Sequence, residues 1–188
     1  MRRLGPRDLA SLAGAGRGWA VAVAATELMK WAKDEKVLPP RRSSFVHPVR
    51  RLCLRQACSV AAHGGHLEVL KWLHNTGCPI GTITCRAAAE GGQLEVLKWL
   101  HSTGCPLDSN TSYAAAEWEH LELLKWLHNT GCSWDSTTCT VAAIRGHLAT
   151  LQWAREHHCP WNKGQVRSCA ARSGHVGMVR WLDGRGGP

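Results

Sequence analysis

A repeat of 27 residues fills most of this chain and limits what the chain can fold into. From residue 58 onward five similar segments follow one another, and the clearest three contain HLEVLKWLHNTGC, QLEVLKWLHSTGC and HLELLKWLHNTGC. A unit this short cannot bury its apolar residues alone, so successive units must stack on one continuous core. Each unit carries one Trp at the same place, 27, 27, 27 and 28 residues apart: Trp72, Trp99, Trp126, Trp153 and Trp181.

Each unit has the pattern of two helices joined by a turn. Its first half is rich in Ala, as at 87–89 and 114–116, and such small side chains let neighbouring helices approach closely. In its second half Leu67, Leu70 and Leu73 share one helical face. Gly77 and its equivalents predict that this helix ends in a left-handed residue, and Asp108 and Asp135 are suited to cap the helices that follow. The pattern predicts an all-α, helix-turn-helix repeat solenoid.

The repeated residues resemble the ankyrin repeat. The run GHLEVLKWLHNTGC is similar to that family's second helix and following turn, and C-x-x-A-A-x-x-G is similar to the end of its first helix. The resemblance recurs in phase five times over about 70% of the chain. The family repeat has about 33 residues and opens with T-P-L-H, whereas here the unit is shorter and T-P-L-H is absent. We therefore expect an ankyrin-like stack with shortened loops and little or no β-hairpin.

What the resemblance implies is a protein–protein interaction scaffold or adaptor, and no enzyme. Cys and His also recur by repeat, as in Cys58, Cys85 and Cys139 or Cys78, Cys105, Cys132 and Cys159. Zinc ligands usually come in pairs with two to four residues between them, but six intervening residues is the closest spacing in these series. We interpret these cysteines as small buried residues. The sequence predicts no metal site, no cofactor and no catalytic residue.

Positive charge is concentrated in the first part of the chain. Residues 1–55 contain 12 Lys and Arg against 4 Asp and Glu, whereas residues 56–188 contain 11 against 10. We divide the chain into a basic segment, 1–55, with a degenerate repeat around 19–38 followed by a loop, and a repeat domain, 56–188. The alternative function is binding of nucleic acid or an anionic surface through this segment, although few aromatic residues accompany its arginines. The basic cluster is Arg41, Arg42, Arg50, Arg51 and Arg55.

The sequence also bears on compartment and assembly. The apolar run at 19–25 is too short to span a membrane, and the odd number of cysteines without a convincing signal peptide favours the cytoplasm. The nucleus is an alternative, and a mitochondrial address is disfavoured because Asp8 and Gly/Pro-rich stretches interrupt the Arg-rich opening. The chain ends in DGRGGP without a polar capping repeat. This end therefore continues in a longer natural chain, or is covered by a partner or a second copy.

Positions that vary between repeats indicate where a partner would bind. In the ankyrin resemblance, residues on or just after the first helix line a concave groove, and these are the positions that differ from unit to unit. Tyr113 and Trp118 stand in the central unit, and aromatic residues often dominate binding energy. The alternative is that Trp118 fills the space left by a lost Gly. The predicted partner-binding residues are Arg86, Glu90, Tyr113, Glu117, Trp118, Thr140, Ile144 and Arg145.

Overall fold

A computed structural model describes residues 48–75 and 77–184, with side chains from Gln56 onward. Within these residues there are ten α-helices and no β-strand. The predicted all-α repeat fold is therefore confirmed, with no hairpin in the part described. The helices are α1 (Pro48–His63), α2 (Leu67–Asn75), α3 (Thr82–Glu90), α4 (Leu94–Ser102), α5 (Ser109–Glu117), α6 (Leu121–Asn129), α7 (Ser136–Arg145), α8 (Leu148–Glu156), α9 (Lys163–Arg172) and α10 (Val176–Leu182).

The helices alternate between two kinds, as the repeat predicts. The odd-numbered helices bury alanines against each other, and α3 has Ala88 and Ala89 fully enclosed. The even-numbered helices bury one leucine face, for example Leu97 and Leu100 of α4. The first helix, α1, has 16 residues and is longer than its counterparts α3, α5, α7 and α9, which have nine or ten. Helix α1 also extends across residue 55, where the sequence places the end of the basic segment.

The chain divides between Cys105 and Pro106 into two compact units. In the first, α1 packs against α2 and α3, and α3 packs against α4. In the second, α7 lies between α5 and α9 and also contacts α8, and a buried cluster around Leu151, Val166 and Met178 forms the core of the last two repeats. The division at 55/56 into a basic segment and a repeat domain stays a prediction, and the degenerate repeat around 19–38 lies outside the described residues.

Helix ends follow the residues that the sequence marks for them. Asp108 accepts a hydrogen bond from the backbone N–H of Thr111, and Asp135 accepts one from that of Thr137, so both predicted N-caps are confirmed. The turns after the second helices contain glycines in the left-handed region, as predicted: Gly77, Gly104 and Gly131, with φ of 85°, 81° and 77°. The turn geometry is therefore set locally and is repeated from unit to unit.

Three of the even-numbered helices, α2, α4 and α6, carry an exposed ion pair near their start. Lys71 Nζ lies 2.7 Å from Glu68 Oε1 on α2, and α4 and α6 repeat this arrangement with Lys98–Glu95 and Lys125–Glu122. These i,i+3 pairs are solvent-exposed, so each contributes only a few tenths of a kcal/mol. No described helix is long and apolar enough to cross a membrane.

Candidate protein-binding surface

Glu117, Trp118 and Arg145 come together where α5 and α7 end in the second compact unit, and Ile144 directly precedes Arg145 at the end of α7. We call these four residues the Trp118 surface. The Arg145 Nη2 donates a hydrogen bond of 2.6 Å to Glu117 Oε1. The guanidinium carbon of Arg145 also lies 5.8 Å from the centroid of the Trp118 ring, within range of a cation–π interaction. The hydrogen bond that Arg145 donates to Glu117 and the negative charge of that carboxylate raise the pKa of Arg145. The surface therefore combines one aromatic ring with a fixed cation.

Both apolar members of the Trp118 surface are exposed. Trp118 has 54% of its surface accessible and Ile144 has 43%. A Trp that only filled the space of a lost Gly would be enclosed by its neighbours, so its exposure does not fit that alternative. Exposed apolar patches that are bordered by polar groups often mark interaction sites. The exposure of Trp118 and Ile144 beside a charged pair therefore favours a role in binding.

Trp118 lies at the end of α5, directly before a residue with a left-handed backbone. Trp118 follows the last residue of α5, and Glu119 then adopts φ of 61° in the left-handed region. Glu119 Oε2 lies 3.4 Å from His147 Nδ1, and the Glu119 side chain is 59% exposed. Glu119 is thus part of the surroundings of Trp118, although the sequence analysis did not select it. The available signal was the loss of two successive glycines in this repeat alone.

Two histidines fix the turns of this surface to the following repeats. His147 Nε2 is 3.0 Å from the carbonyl oxygen of Glu117, and His175 Nε2 is 2.9 Å from that of Ile144. In the first unit Gln93 takes the equivalent place, with Nε2 donating to the carbonyl oxygen of His63 over 3.3 Å. These residues connect one repeat to the turn of the repeat before it. They are the reason that the backbone under Trp118 and Ile144 has a defined position.

The other predicted residues of the second unit have different surroundings. Tyr113 on α5 is half-buried and lies close enough to Arg145 to add slightly to the raised pKa of the guanidinium. Thr140 on α7 is also half-buried, and its hydroxyl donates to the carbonyl oxygen of Ser136 over 2.8 Å. The Thr140 hydroxyl is therefore engaged within its own helix, whereas Tyr113 lies near the guanidinium of the Trp118 surface.

In the first unit, Arg86 and Glu90 pair with each other on α3. Arg86 Nε donates to Glu90 Oε1 over 2.8 Å, one helical turn apart. Of the basic cluster, Arg50, Arg51 and Arg55 lie in α1, but their side chains are outside the described part. Arg41 and Arg42 lie outside the described residues altogether.

Comparison with protein families identifies the repeat. Residues 58–101 match a family model described as ankyrin repeats in many copies. Residues 58–101 are ankyrin repeats. The match covers most of the first two repeats, and the later repeats carry similar residues in the same phase. A search of curated proteins finds no match to the chain. Ankyrin repeats generally mediate protein–protein interactions.

Several tryptophans of the later repeats pack against histidines and arginines. Trp153 stacks on His157 with ring centroids 4.2 Å apart, and Trp134 stacks on His128 at 4.6 Å. In the last repeat pair, Arg155 lies over both Trp161 and Trp181, at 5.8 and 5.6 Å. All four tryptophans are half-buried. Trp118, which falls outside the repeating Trp position, is the exposed one among the described tryptophans.

The ankyrin repeats bring cysteines together in pairs. Among residues 48–75 and 77–184 there is no group of three or more His, Cys, Asp or Glu side chains that could hold a metal ion. The sulfur atoms of Cys58 and Cys78 lie 2.6 Å apart, and those of Cys85 and Cys105 lie 2.9 Å apart. The two sulfurs of each pair link the first helix of a repeat to the turn after its second helix.

Proposed function

We propose that this protein is an interaction scaffold that binds a partner protein through the Trp118 surface. Tyr113 and Thr140 of the same two helices would contribute, and Arg86 and Glu90 stand at equivalent positions of the preceding repeat. The observation that carries the proposal is the exposure of Trp118, at 54%, under a guanidinium that Glu117 holds in place. Trp and Arg are the residues that most often dominate the energy of a protein interface. The general role of ankyrin repeats agrees with this proposal.

The physical basis is that the Trp118 surface is held in position before it binds. The bonds from His147 and His175 fix the two turns, and the Glu117–Arg145 pair restrains the guanidinium. A partner that covers Trp118 would remove apolar surface from water without having to order these groups. Side chains that are already ordered lose less conformational entropy on binding, so more of the contact energy appears as affinity.

The test compares capture of proteins from lysate by the intact chain and by Trp118→Ser, followed by affinity measurements with the captured partner. Ser173 stands at the Trp118 position in the last repeat, so this substitution uses a residue that the array already contains. We expect Trp118→Ser to weaken binding about 30-fold, the equivalent of about 2 kcal/mol at a dominant contact. The matched control is Val176→Thr, because Val176 is 59% exposed but belongs to a second helix, α10.

The outcomes separate the two candidate functions. If Trp118→Ser and Val176→Thr both bind as the intact chain does, while circular dichroism shows all three folded, the Trp118 surface is not the binding site. The second candidate, the basic segment 1–55, rests on its excess of positive charge. Binding of phosphates through five arginines would fall by a factor of several hundred between 50 and 200 mM salt. If the affinity falls by that factor with salt, and falls equally for the intact chain and for Trp118→Ser, the function belongs to the basic segment.

A further inference from the structure

Three repeats contain a pair of buried cysteines 20 residues apart in sequence. Cys58 and Cys78 form the first pair and Cys85 and Cys105 the second, and the sulfurs of both pairs are in contact. Cys139 and Cys159 occupy the same two positions in the fourth repeat and form the third pair, in which the two thiols are hydrogen-bond partners. In every pair the first cysteine belongs to an odd-numbered helix and the second follows the turn after the even-numbered helix of the same repeat. All six are buried, with at most 5% of any side chain exposed. The arrangement is thus a property of the repeat.

The separation between the sulfurs favours a covalent link over a shared metal. A disulfide bond is about 2.05 Å long, so the sulfurs at 2.6 and 2.9 Å need to move together by less than 1 Å. Two thiolates on one tetrahedral zinc ion lie about 3.8 Å apart, since each Zn–S bond is about 2.3 Å. Within residues 48–75 and 77–184 no further ligand completes such a site.

The third repeat shows that packing alone does not require two thiols here. Ser112 stands where the other repeats have the first cysteine, and its Oγ lies 3.4 Å from Cys132 Sγ. The hydroxyl of Ser112 also donates to the carbonyl oxygen of Ser133 over 3.1 Å, and the residue is as buried as the cysteines. A Ser–Cys pair therefore fits the same place. The chain contains its own control for the cysteine pairs.

We propose that the three cysteine pairs are reversible dithiols, which close into intrarepeat disulfides when a small-molecule disulfide such as glutathione disulfide oxidises them. A thiolate of the pair attacks one sulfur of glutathione disulfide, forms a mixed disulfide and releases one glutathione thiolate. The second cysteine loses its proton and attacks the protein sulfur of the mixed disulfide, which releases the second glutathione. One protein S–S bond forms, and one glutathione disulfide is reduced to two glutathione molecules.

The surroundings of the thiols determine which of them ionises and how the oxidant reaches it. Thiolates are the reactive species, and the hydrogen bond with Cys78 together with burial raises the pKa of Cys58. The hydrogen bond from Cys159 instead lowers the pKa of Cys139. The oxidant reaches the sulfurs when the turn before the second cysteine of a pair opens locally. In the first two pairs this turn contains a glycine, and in the third pair His158 takes its place before Cys159. Closure then joins each first helix to the end of its own repeat.

The first experiment titrates the full chain with mixtures of reduced and oxidised glutathione. Samples are alkylated in denaturant, and the mass and the cross-linked peptides are determined. We expect the number of alkylated thiols to fall from nine to three, two at a time. Cys53, Cys132 and Cys169 should be the residues that are still labelled. Labelling of all nine cysteines after excess glutathione disulfide, or cross-links between other cysteines, would overturn the proposal.

Two variants test the geometry independently of the wild-type pattern. Cys85→Ser copies the Ser112–Cys132 pair, so the reduced variant should stay folded and oxidation should form one disulfide fewer. Ser112→Cys should gain a disulfide to Cys132. Each closed 20-residue loop should raise the melting temperature by on the order of 5 °C. If Ser112→Cys forms no additional disulfide, or if the oxidised chain melts no higher than the reduced chain, the repeat does not place these sulfurs for bonding.

Discussion

Glu119 and His158 adopt a backbone conformation that glycine usually occupies, both with φ of 61°. His158 stands where the earlier repeats have Gly77, Gly104 and Gly131, and the sequence predicts this substitution as a degenerate helix end. Glu119 stands where the other units have glycine, so its conformation also follows from the phase of the repeat. What the sequence does not reveal is that Arg145 pairs with Glu117 and lies near the face of the Trp118 ring, because that depends on side-chain rotamers and not on position along the chain.

Glu119→Gly should therefore stabilise the folded protein. A non-glycine residue in the left-handed region costs about 1–2 kcal/mol, and the greater freedom of glycine in the unfolded chain offsets about 0.4–1 kcal/mol of this. The Glu119 side chain is 59% exposed, so its contact with His147 is screened by water and contributes little. We expect the free energy of unfolding in urea to rise by about 0.5–1 kcal/mol.

Glu119→Ala is the matched control for this change, since it removes the carboxylate and keeps the backbone cost. We expect its free energy of unfolding to equal that of the wild type or to lie slightly below it. If alanine stabilised the protein as much as glycine does, the carboxylate and not the backbone conformation would be responsible.

At the scale of the helices, most of the structure was predictable from the repeat. The second helices α2, α4 and α6 have the same length because their sequences are nearly the same. Asp108, Asp135 and Asn162 cap α5, α7 and α9, whereas Gly81 at the start of α3 provides no side-chain bond. The length of α1 was not predictable, because the residues before Cys58 have no counterpart among the other repeats.

Gly81→Asp should stabilise α3 by copying its neighbours. Gly81 has an extended backbone, with φ of −169°, and a Cβ added to it meets nothing within 4 Å. An Asp there gains a hydrogen bond to the first turn of α3 and restricts the unfolded chain, so we expect about 0.5–1 kcal/mol more stability in urea unfolding.

The reverse change, Asp108→Gly, is the companion measurement on the same type of cap. It should lower the free energy of unfolding by a similar amount, because it removes the bond to the N–H of Thr111. A neutral result for both variants would mean that these caps are fully replaced by water and do not determine where the first helices begin.

For the whole molecule, the periodicity predicts the solenoid, because stacking is the one way in which 27-residue units can share a core. The candidate site is predictable only in part. Variation between repeats selects Trp118 and Ile144, which are exposed, but it also selects Thr140, whose hydroxyl bonds within α7. Comparing the repeats shows which positions are not needed for packing between them. It does not show which of these side chains face water and which bond within their own helix.

The buried thiols that run through the repeats should make the folded state sensitive to alkaline pH. Burial raises the pKa of Cys132, and a hydrogen bond with a neighbouring cysteine together with burial raises those of Cys58 and Cys159. A group with a higher pKa in the folded state contributes its full stability below the unfolded pKa, about 8.5 for Cys, and loses it as pH rises further. With reductant present, the free energy of unfolding should therefore fall from about pH 8.5 upward, by up to about 1.4 kcal/mol per pH unit for each such thiol.

Cys132→Ser removes one of these groups and leaves a Ser–Ser pair with Ser112. Above about pH 8.5 its free energy of unfolding should therefore fall less steeply with pH, by up to that amount. Because Lys and Tyr titrate alike in both proteins, the difference between their slopes isolates the thiol. Parallel slopes would mean that water reaches Cys132 as readily in the folded chain as in the unfolded one.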